Sequence, residues 1–373
     1  MIYAVISEFN PFHNGHRHLL NSLPLKAGDY TVCMMSGSFV QRGEPAAYGK
    51  WARAEAACKN GADLVLELPL PFTLSDGDRF AAKGVELAAA LGLPVTLAFG
   101  TECTQTDGLA RLAALSESAL SPLIKQRLEQ GLSYGAARQA ALQELLPEES
   151  ALLQTPNNLL ACGYIRACLQ RGIPYLGIKR TAAHDGAPEN GFASASYIRA
   201  HPEAFDQYCP CRQGARLEQS RFESGLRSLL ASKTAADLRG CANISEGLEN
   251  RILAALQQTG GVQDLYDCIK TKRYSHAKLR RAVMSGALGI PAGLPDAPVP
   301  YLRVLAFGER GKELLRQLRK SAALPICQSG KECEQASPAF FALERFATDL
   351  RSSWSEQPTA AGEDYRNGAI CVE

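Results

Sequence analysis

The chain has 373 residues, 46% of them apolar and 21% charged, with 40 Lys plus Arg against 38 Asp plus Glu. That length predicts one large or two smaller folded units, each able to bury a core, and the composition excludes an intrinsically disordered chain. A formal net charge of +2 excludes a polycation, so a nucleic-acid partner would have to be gripped by a local basic patch.

Residues 2–9 carry a strand pattern, and residues 17–23 follow as a helix. Next come a strand at 30–35, an Ala-rich helix at 50–59, and a strand at 63–68 stopped by Pro69 and Pro71. A helix at 80–91 and a strand at 95–99 complete the first hundred residues. Strands separated by helical patterns of this length imply βαβ units and an open, doubly wound parallel sheet with right-handed crossovers. Residues 106–171 turn mostly helical, with a break at Gln154-Thr155-Pro156-Asn157-Asn158. Residues 174–179 give one more strand pattern, 183–192 a loop, and 193–200 a helix. The Pro-, Cys- and polar-rich stretch 202–214 is the best linker candidate and divides the chain into units at 1–205 and 215–373. Beyond it, 217–230, 235–241, 247–258 and 277–284 read as helices, with strands at 301–307 and near 324–327. The polar tail from about Glu356 is expected to fray.

No run approaches the roughly 18 apolar residues of a membrane span, and the first apolar run is cut by Glu8, Asn10 and Pro11. The 12 cysteines are scattered and fall below the roughly 8–10% of a disulfide scaffold. With no export signal they read as reduced, mostly buried thiols of a cytoplasmic protein.

The sharpest signal is Asn10-Pro11-Phe12-His13-Asn14-Gly15-His16, directly after the first strand and opening a helix. Open α/β sheets bind ligands beyond the carboxyl ends of their strands. A helix N-terminus there offers free N–H groups and partial positive charge, which suits phosphate. Gly15 lets backbone approach a phosphate without a Cβ in the way. His13 and His16, three apart, project from one side as imidazole N–H donors. In adenylyl transfer, charge grows on the α-phosphate and the leaving pyrophosphate, so donors fixed there lower the barrier. With 6 His and 32 Gly, H-x-G-H is expected about 0.01 times by chance, which separates it from two incidental surface histidines. His-x-x-His supplies only two ligands, so no metal site is read here. His18 is either a further polar contact or a solvated helix residue.

H-x-G-H in this position resembles the nucleotidyltransferase superfamily that includes phosphopantetheine and nicotinate-mononucleotide adenylyltransferases and class I aminoacyl-tRNA synthetases. Ala193-Ser194-Ala195-Ser196-Tyr197-Ile198-Arg199 looks like its second signature, a Ser/Thr turn with Ile-Arg opening a late helix. Its hydroxyls and Arg199 suit the β- and γ-phosphates. Longer strings narrow the resemblance. They are Glu8 through His16, Met35-Ser36-Gly37-Ser38-Phe39-Val40-Gln41-Arg42-Gly43-Glu44-Pro45, Lys50-Trp51-Ala52-Arg53, and Gly61-Ala62-Asp63-Leu64-Val65 running into Glu67-Leu68-Pro69. Phe99-Gly100-Thr101-Glu102, Pro156-Asn157-Asn158, Ser245 through Ile252 and Lys270-Thr271-Lys272-Arg273-Tyr274 continue them. In content and order these resemble the bacterial tRNA(Met) cytidine acetate ligase family, over residues 2–310.

The resemblance implies a Rossmann-like (HUP-type) nucleotidyltransferase domain with a parallel sheet over 1–205, then a mainly α-helical tRNA-binding domain over 215–373. It implies an ATP-dependent ligase that activates acetate as acetyl-adenylate with release of pyrophosphate. The acetyl group then passes to the exocyclic amine of the wobble cytidine of elongator tRNA(Met), giving N(4)-acetylcytidine. ATP is a substrate, Mg2+ is expected on its phosphates, and neither a membrane nor a stable protein partner is implied. Carried over residue by residue, the ATP site is Ile6, Ser7, Glu8, Phe9, Asn10, Pro11, Phe12, His13, Asn14, Gly15, His16, Arg17, His18 and Leu19. Gly100, Asn157 and Arg180 join it, as do Ser194, Ser196 and Arg199, with His13 and His16 catalytic. The family has Lys before Pro-Asn-Asn, where this chain has Thr155. It has Thr-Ser in the late turn, where this chain has Ser196-Tyr197, and the bulk of Tyr197 bears on phosphate packing.

Residues 270–281 hold six Lys or Arg and no acid, with Tyr274 available to stack. Lys270, Lys272, Arg273, Tyr274 and Lys278 are therefore candidate tRNA contacts; a solvated basic helix is the plain alternative. Arg42, Lys50 and Arg53 form a second cluster near the ATP mouth. The wobble base is expected to be splayed into the site, and no residue is identified as general base. Two other functions compete. One is a small-molecule adenylyltransferase without a tRNA substrate, which the long helical second half argues against. The other is an RNA-binding protein with an idle nucleotide pocket, which intact His13, Gly15 and His16 argue against.

Overall fold

A computed structural model describes residues 1–102, 106–180, 188–272 and 274–373. The strands β1 (Ile2–Ser7) and β2 (Tyr30–Ser36) are near-continuous apolar runs, buried on both faces as in parallel sheets covered by helices. A small antiparallel hairpin, β3 (Phe39–Val40) and β4 (Glu44–Pro45), follows β2. The remaining strands are β5 (Leu64–Leu68), β6 (Val95–Thr101), β7 (Tyr175–Lys179), β8 (Leu302–Phe307), β9 (Ile326–Cys327) and β10 (Ile370–Cys371). The main sheet runs β10-β8-β5-β2-β1-β6-β7, with β9 paired to β8. From β5 to β7 every neighbouring pair is parallel, and β8 enters antiparallel to β5. The chain winds from β1 through β2 to β5 on one side, then crosses to β6 and β7 on the other. The carboxyl ends of β1 and β6 thus frame the switch point of a doubly wound sheet, where such folds bind ligands.

Helix α1 (Asn14–Asn21) begins earlier than its apolar pattern suggests, because its cap is the imidazole of His13 and not a Ser, Thr, Asp or Asn. Helices Gly77–Ala89 and Pro156–Arg171 pack against each other and against the sheet. Helices Gln219–Ala231, Ala235–Arg239, Leu248–Gln258, Val262–Ile269 and His276–Leu288 build a second core around Leu226, Leu230, Ile252, Leu265 and Val283. Among the described residues no helix is long and apolar enough to cross a membrane, and the described cysteines are free thiols.

Three expectations are corrected. The stretch 202–214 is no loose linker: Gln213 is buried, accepts the Phe12 N–H at 2.8 Å and donates to the Phe12 carbonyl at 2.7 Å. The sheet also does not end near residue 205, because β8, β9 and β10 return to it from the expected helical unit. Nor does the tail fray, since β10 pairs with β8 and Asp364 is fully buried. The expected loop at 183–192 lies partly outside the described residues.

A buried set of charges explains the tail. Helix α2 (Lys50–Cys58) places Lys50 Nζ 2.8 Å from Glu67 of β5 and 2.8 Å from Asp364. Arg303 of β8 reaches the same two carboxylates at 3.3 and 2.8 Å. Burial opposes ionisation of Asp364, yet Lys50 and Arg303 together hold its carboxyl below the usual range. Its contribution to stability is therefore present above the ordinary carboxylate pKa and is lost as pH falls through the lowered value. Asp364→Ala leaves two buried cations with one carboxylate and should cost about 3–5 kcal/mol. A denaturant melt would register this as a lower midpoint; an unchanged midpoint would contradict the clamp.

Candidate active site

The turn from β1 into α1 is built by mutual capping of two imidazoles. His13 Nδ1 accepts the Gly15 N–H at 3.0 Å, while His16 Nδ1 accepts the His13 N–H at 3.2 Å, a histidine version of the capping box. Each ring then carries its proton on Nε2, and the rings stack with centroids 3.8 Å apart. A Cβ on Gly15 would lie 2.8 Å from His13 Cε1, so glycine here makes room for the ring itself. Phe9 stands edge-on to both Phe12 and His16 at 4.9 Å and fixes the second imidazole. Burial, with the Arg180 and Arg199 charges, pushes the His13 imidazole down to about 3. Burial, then His13 and Arg180, hold His16 well below its ordinary range. At neutral pH both are uncharged Nε2–H donors.

An open cavity of about 1680 Å³ begins at this turn. Ile6, Ser7, Glu8, Phe9, His13, Gly15, His16, His18 and Leu19 line it. Other members of the 6–19 segment serve as scaffold. Asn10 accepts the Ala47 N–H through Oδ1 at 2.7 Å, its peptide bond to Pro11 is cis, and Phe12 is buried. Asn14 instead donates to the Gly191 carbonyl, and Arg17 is exposed.

The opposite wall collects the remaining candidates. Gly100 of β6 leaves the space that the Arg180 side chain fills, with Arg180 Cγ 3.4 Å from the position a Cβ would take. Asn157 faces the cavity and donates to Glu102 at 2.7 Å. Its neighbour Asn158, part of the same Pro-Asn-Asn string but not among the expected site residues, locks the end of β6 by accepting the Thr101 hydroxyl and the Glu102 N–H, each at 3.0 Å. Thr155 does not line the cavity, and its Oγ1 is buried without a hydrogen-bond partner among the described residues. Ser194 caps the helix Ala195–Ala200. Arg199 donates to the Asn10 carbonyl at 2.7 Å, and Arg42 donates to Ser196 at 3.1 Å. Tyr197 turns away and stacks on His201 at 4.1 Å, so its bulk does not crowd the turn.

The basic residues divide. Lys270, Lys272 and Lys278 line the far side of the cavity; Arg273 lies outside the described residues. Tyr274 does not offer a platform: its ring is buried, Lys278 Nζ sits 4.5 Å over it, and its hydroxyl donates to Glu246 at 2.7 Å. Lys50 and Arg53 are also corrected, since both are buried. Arg53 donates to the carbonyls of Tyr48, Glu8, Ser36 and Gly37, so of that cluster only Arg42 reaches the cavity. The exposed aromatic at the mouth is Tyr134, 59% exposed, beside Arg138. Nothing in its local sequence marked it. Among the described residues no group of three His, Cys, Asp or Glu is placed to hold a metal ion.

The model of the HIGH Nucleotidyl Transferase family matches residues 1–365. The tRNA(Met) cytidine acetate ligase of Thermoanaerobacter sp. (strain X514) is 34% identical, covering 98% of each chain. That of Acetivibrio thermocellus is 31% identical over the full length of both. Among solved structures, Thermotoga maritima TmcAL bound with alpha-thio ATP superposes with a TM-score of 0.89 at 29% identity, covering 100% of both chains. With the H-x-G-H turn at the switch point of a doubly wound sheet and a match over nearly its whole length, the chain belongs to the HIGH nucleotidyl transferase family.

Proposed function

We propose that the protein is an ATP-dependent ligase that activates acetate as acetyl-adenylate and transfers the acetyl group to the wobble cytidine of elongator tRNA(Met), acting in the cytoplasm. The observation that carries this reading is the pair of neutral, stacked imidazoles at the α1 N-terminus, opening into one large basic cavity. Its volume of about 1680 Å³ exceeds the roughly 300–1,000 Å³ of a small-ligand pocket. That excess favours a macromolecular acceptor over a small-molecule adenylyltransferase. The relatives named for this activity cover nearly the whole chain and support the same reading.

In the first step an acetate oxygen attacks the α-phosphorus and pyrophosphate leaves. His13 and His16 supply Nε2–H donors to the phosphate oxygens, where charge grows, and being neutral they need no proton loss to do so. Arg180 and Arg199 balance the triphosphate charge from the opposite wall. Magnesium would screen the phosphates; among the described residues no group of three His, Cys, Asp or Glu is placed to hold it, so it would rest chiefly on ATP. In the second step the helical unit 219–288, with Lys270, Lys272 and Lys278, guides the anticodon loop to the cavity. Tyr134 stands where an unstacked base would enter.

Incubation with ATP, labelled acetate and tRNA(Met) should give label in the wobble cytidine and release of pyrophosphate. Acetate-independent AMP transfer to a metabolite would instead support the small-molecule reading. His16→Ala should abolish acetyl-adenylate formation while tRNA still binds; undiminished adenylation would contradict its role. Tyr134→Ala should weaken tRNA binding by about 1–3 kcal/mol, the worth of one base–aromatic stack. Lys272→Gln should flatten the slope of log Kd against log salt by about 0.7–0.9, measured by filter binding.

A further inference from the structure

Acyl transfer to a cytosine amine releases one proton, and some group must accept it as the nitrogen bonds to the acetyl carbon. Among the described residues lining the cavity, the acidic side chains are Glu8, Asp76 and Asp78, and the imidazoles are His13, His16 and His18. The first two imidazoles have Nδ1 occupied by backbone N–H groups and Nε2 protonated, so neither accepts a proton. His18 turns Nε2 toward Ser22 Oγ at 3.5 Å and stands edge-on to Phe192. Asp76 caps the helix Gly77–Ala89 and pairs with Arg79; Asp78 pairs with Arg166 at 2.8 Å.

Glu8 is placed differently. It directly follows the last residue of β1, at the switch point and in the same turn as His13 and His16. Its Oε1 accepts the Gln41 N–H at 2.8 Å, which fixes the carboxylate in the wall of the cavity. Charged and titratable groups face it from each packed element. Arg42 and Glu44 come from the β3–β4 hairpin, Arg199 from the helix Ala195–Ala200, Tyr164 from the helix Pro156–Arg171, and Arg53 from α2 at its carbonyl. Burial raises its pKa from the usual carboxylate value, against the lowering pull of Arg42, the Gln41 N–H and Arg199. A raised carboxyl lies nearer the working pH, where general bases are most effective.

We propose that Glu8 is the general base of the acyl-transfer step, an inference that rests on the acetate-ligase reading. Its Oε2 takes a proton from the attacking amine as the N–C bond forms. The bond from the acetyl carbon to the AMP phosphate oxygen breaks, and its electron pair leaves on AMP. The products are the N-acetylated base, AMP and protonated Glu8, which returns its proton to solvent.

The test supplies synthetic acetyl-adenylate and tRNA(Met) to the full-length protein and follows single-turnover transfer from acidic to neutral pH. The wild-type rate should fall on the acid side with an apparent pKa above the ordinary value of 4.5. Glu8→Gln keeps an oxygen for the Gln41 N–H; it should lose that acid limb and slow transfer by about 10²–10⁴-fold. Glu8→Asp retains a carboxylate and should keep the limb at a reduced rate, a readout independent of how the Gln variant folds. A Glu8→Gln rate of wild-type order, a limb that survives in it, or a wild-type profile without a limb would overturn the assignment. A wild-type enzyme that transfers no acetyl group to tRNA would instead overturn the ligase reading itself.

Discussion

The first turn of α1 has free N–H groups that must be satisfied, and His13 satisfies one by folding its own ring over the helix start. That closure sets the rest of the mouth. It forces glycine at position 15, where any Cβ would meet the imidazole. It brings His16 back onto the His13 N–H, so that both rings lose the use of Nδ1 and present the same tautomer. Burial disfavours protonation of both rings, helped by Arg180 and Arg199 at His13 and by His13 and Arg180 at His16, so the pair presents N–H dipoles instead of charge. The turn is then braced from behind: Gln213 holds both polar groups of the Phe12 backbone, and Arg53 holds the Glu8 carbonyl.

Behind the mouth, Lys50, Glu67, Arg303 and Asp364 join α2, β5, β8 and the tail. A buried ion set of this kind is a weak source of net stability compared with apolar packing, but removing one member is costly. Its effect is to fix register, since two cations and two carboxylates meet only when all four elements are in place. Glu344, close enough to feel both Glu67 and Asp364, has its carboxyl pushed well up by burial and then by Glu67, against the lowering pull of Lys50.

The sheet was legible in the sequence because its signals are local: apolar runs punctuated by Pro and Gly, with helical periods between them. The H-x-G-H turn was legible for the same reason, its residues being consecutive. What escaped depends on contacts far apart in sequence. Lys50 and Arg53 read as surface cations because their carboxylate and carbonyl partners lie up to 314 positions away, at Asp364 in the tail. The tail read as frayed because what holds it, Asp364 among the buried charges and β10 on the edge of β8, is a set of contacts with residues far away in sequence. Gln213 turned a polar, Pro-rich stretch into a brace for the same reason. Tyr274 and Tyr134 exchanged parts: a tyrosine amid lysines was packed by Glu246 and Lys278, whereas one in an unremarkable helix start was left at the mouth.

The β3–β4 hairpin connects the two walls of the cavity through very few atoms. Gln41 holds Glu8 with its N–H and accepts Arg281, from the basic helix His276–Leu288, with its carbonyl at 3.3 Å. Arg280 of that helix pairs with Glu44 of the hairpin, and a Cβ on Gly43 would strike the Arg281 backbone N at 2.5 Å. Arg42, between them, reaches Ser196 of the late Ser/Thr turn. The spacing between the basic wall and the phosphate turn is thus pinned by one tight hairpin, together with the packing of Phe39, Leu70 and Leu74 into the second core. On the proposed reading, a chain guided along Lys272 and Lys278 is delivered in fixed register with Glu8 and the paired imidazoles, the orientation that a weakly nucleophilic aromatic amine needs in order to react.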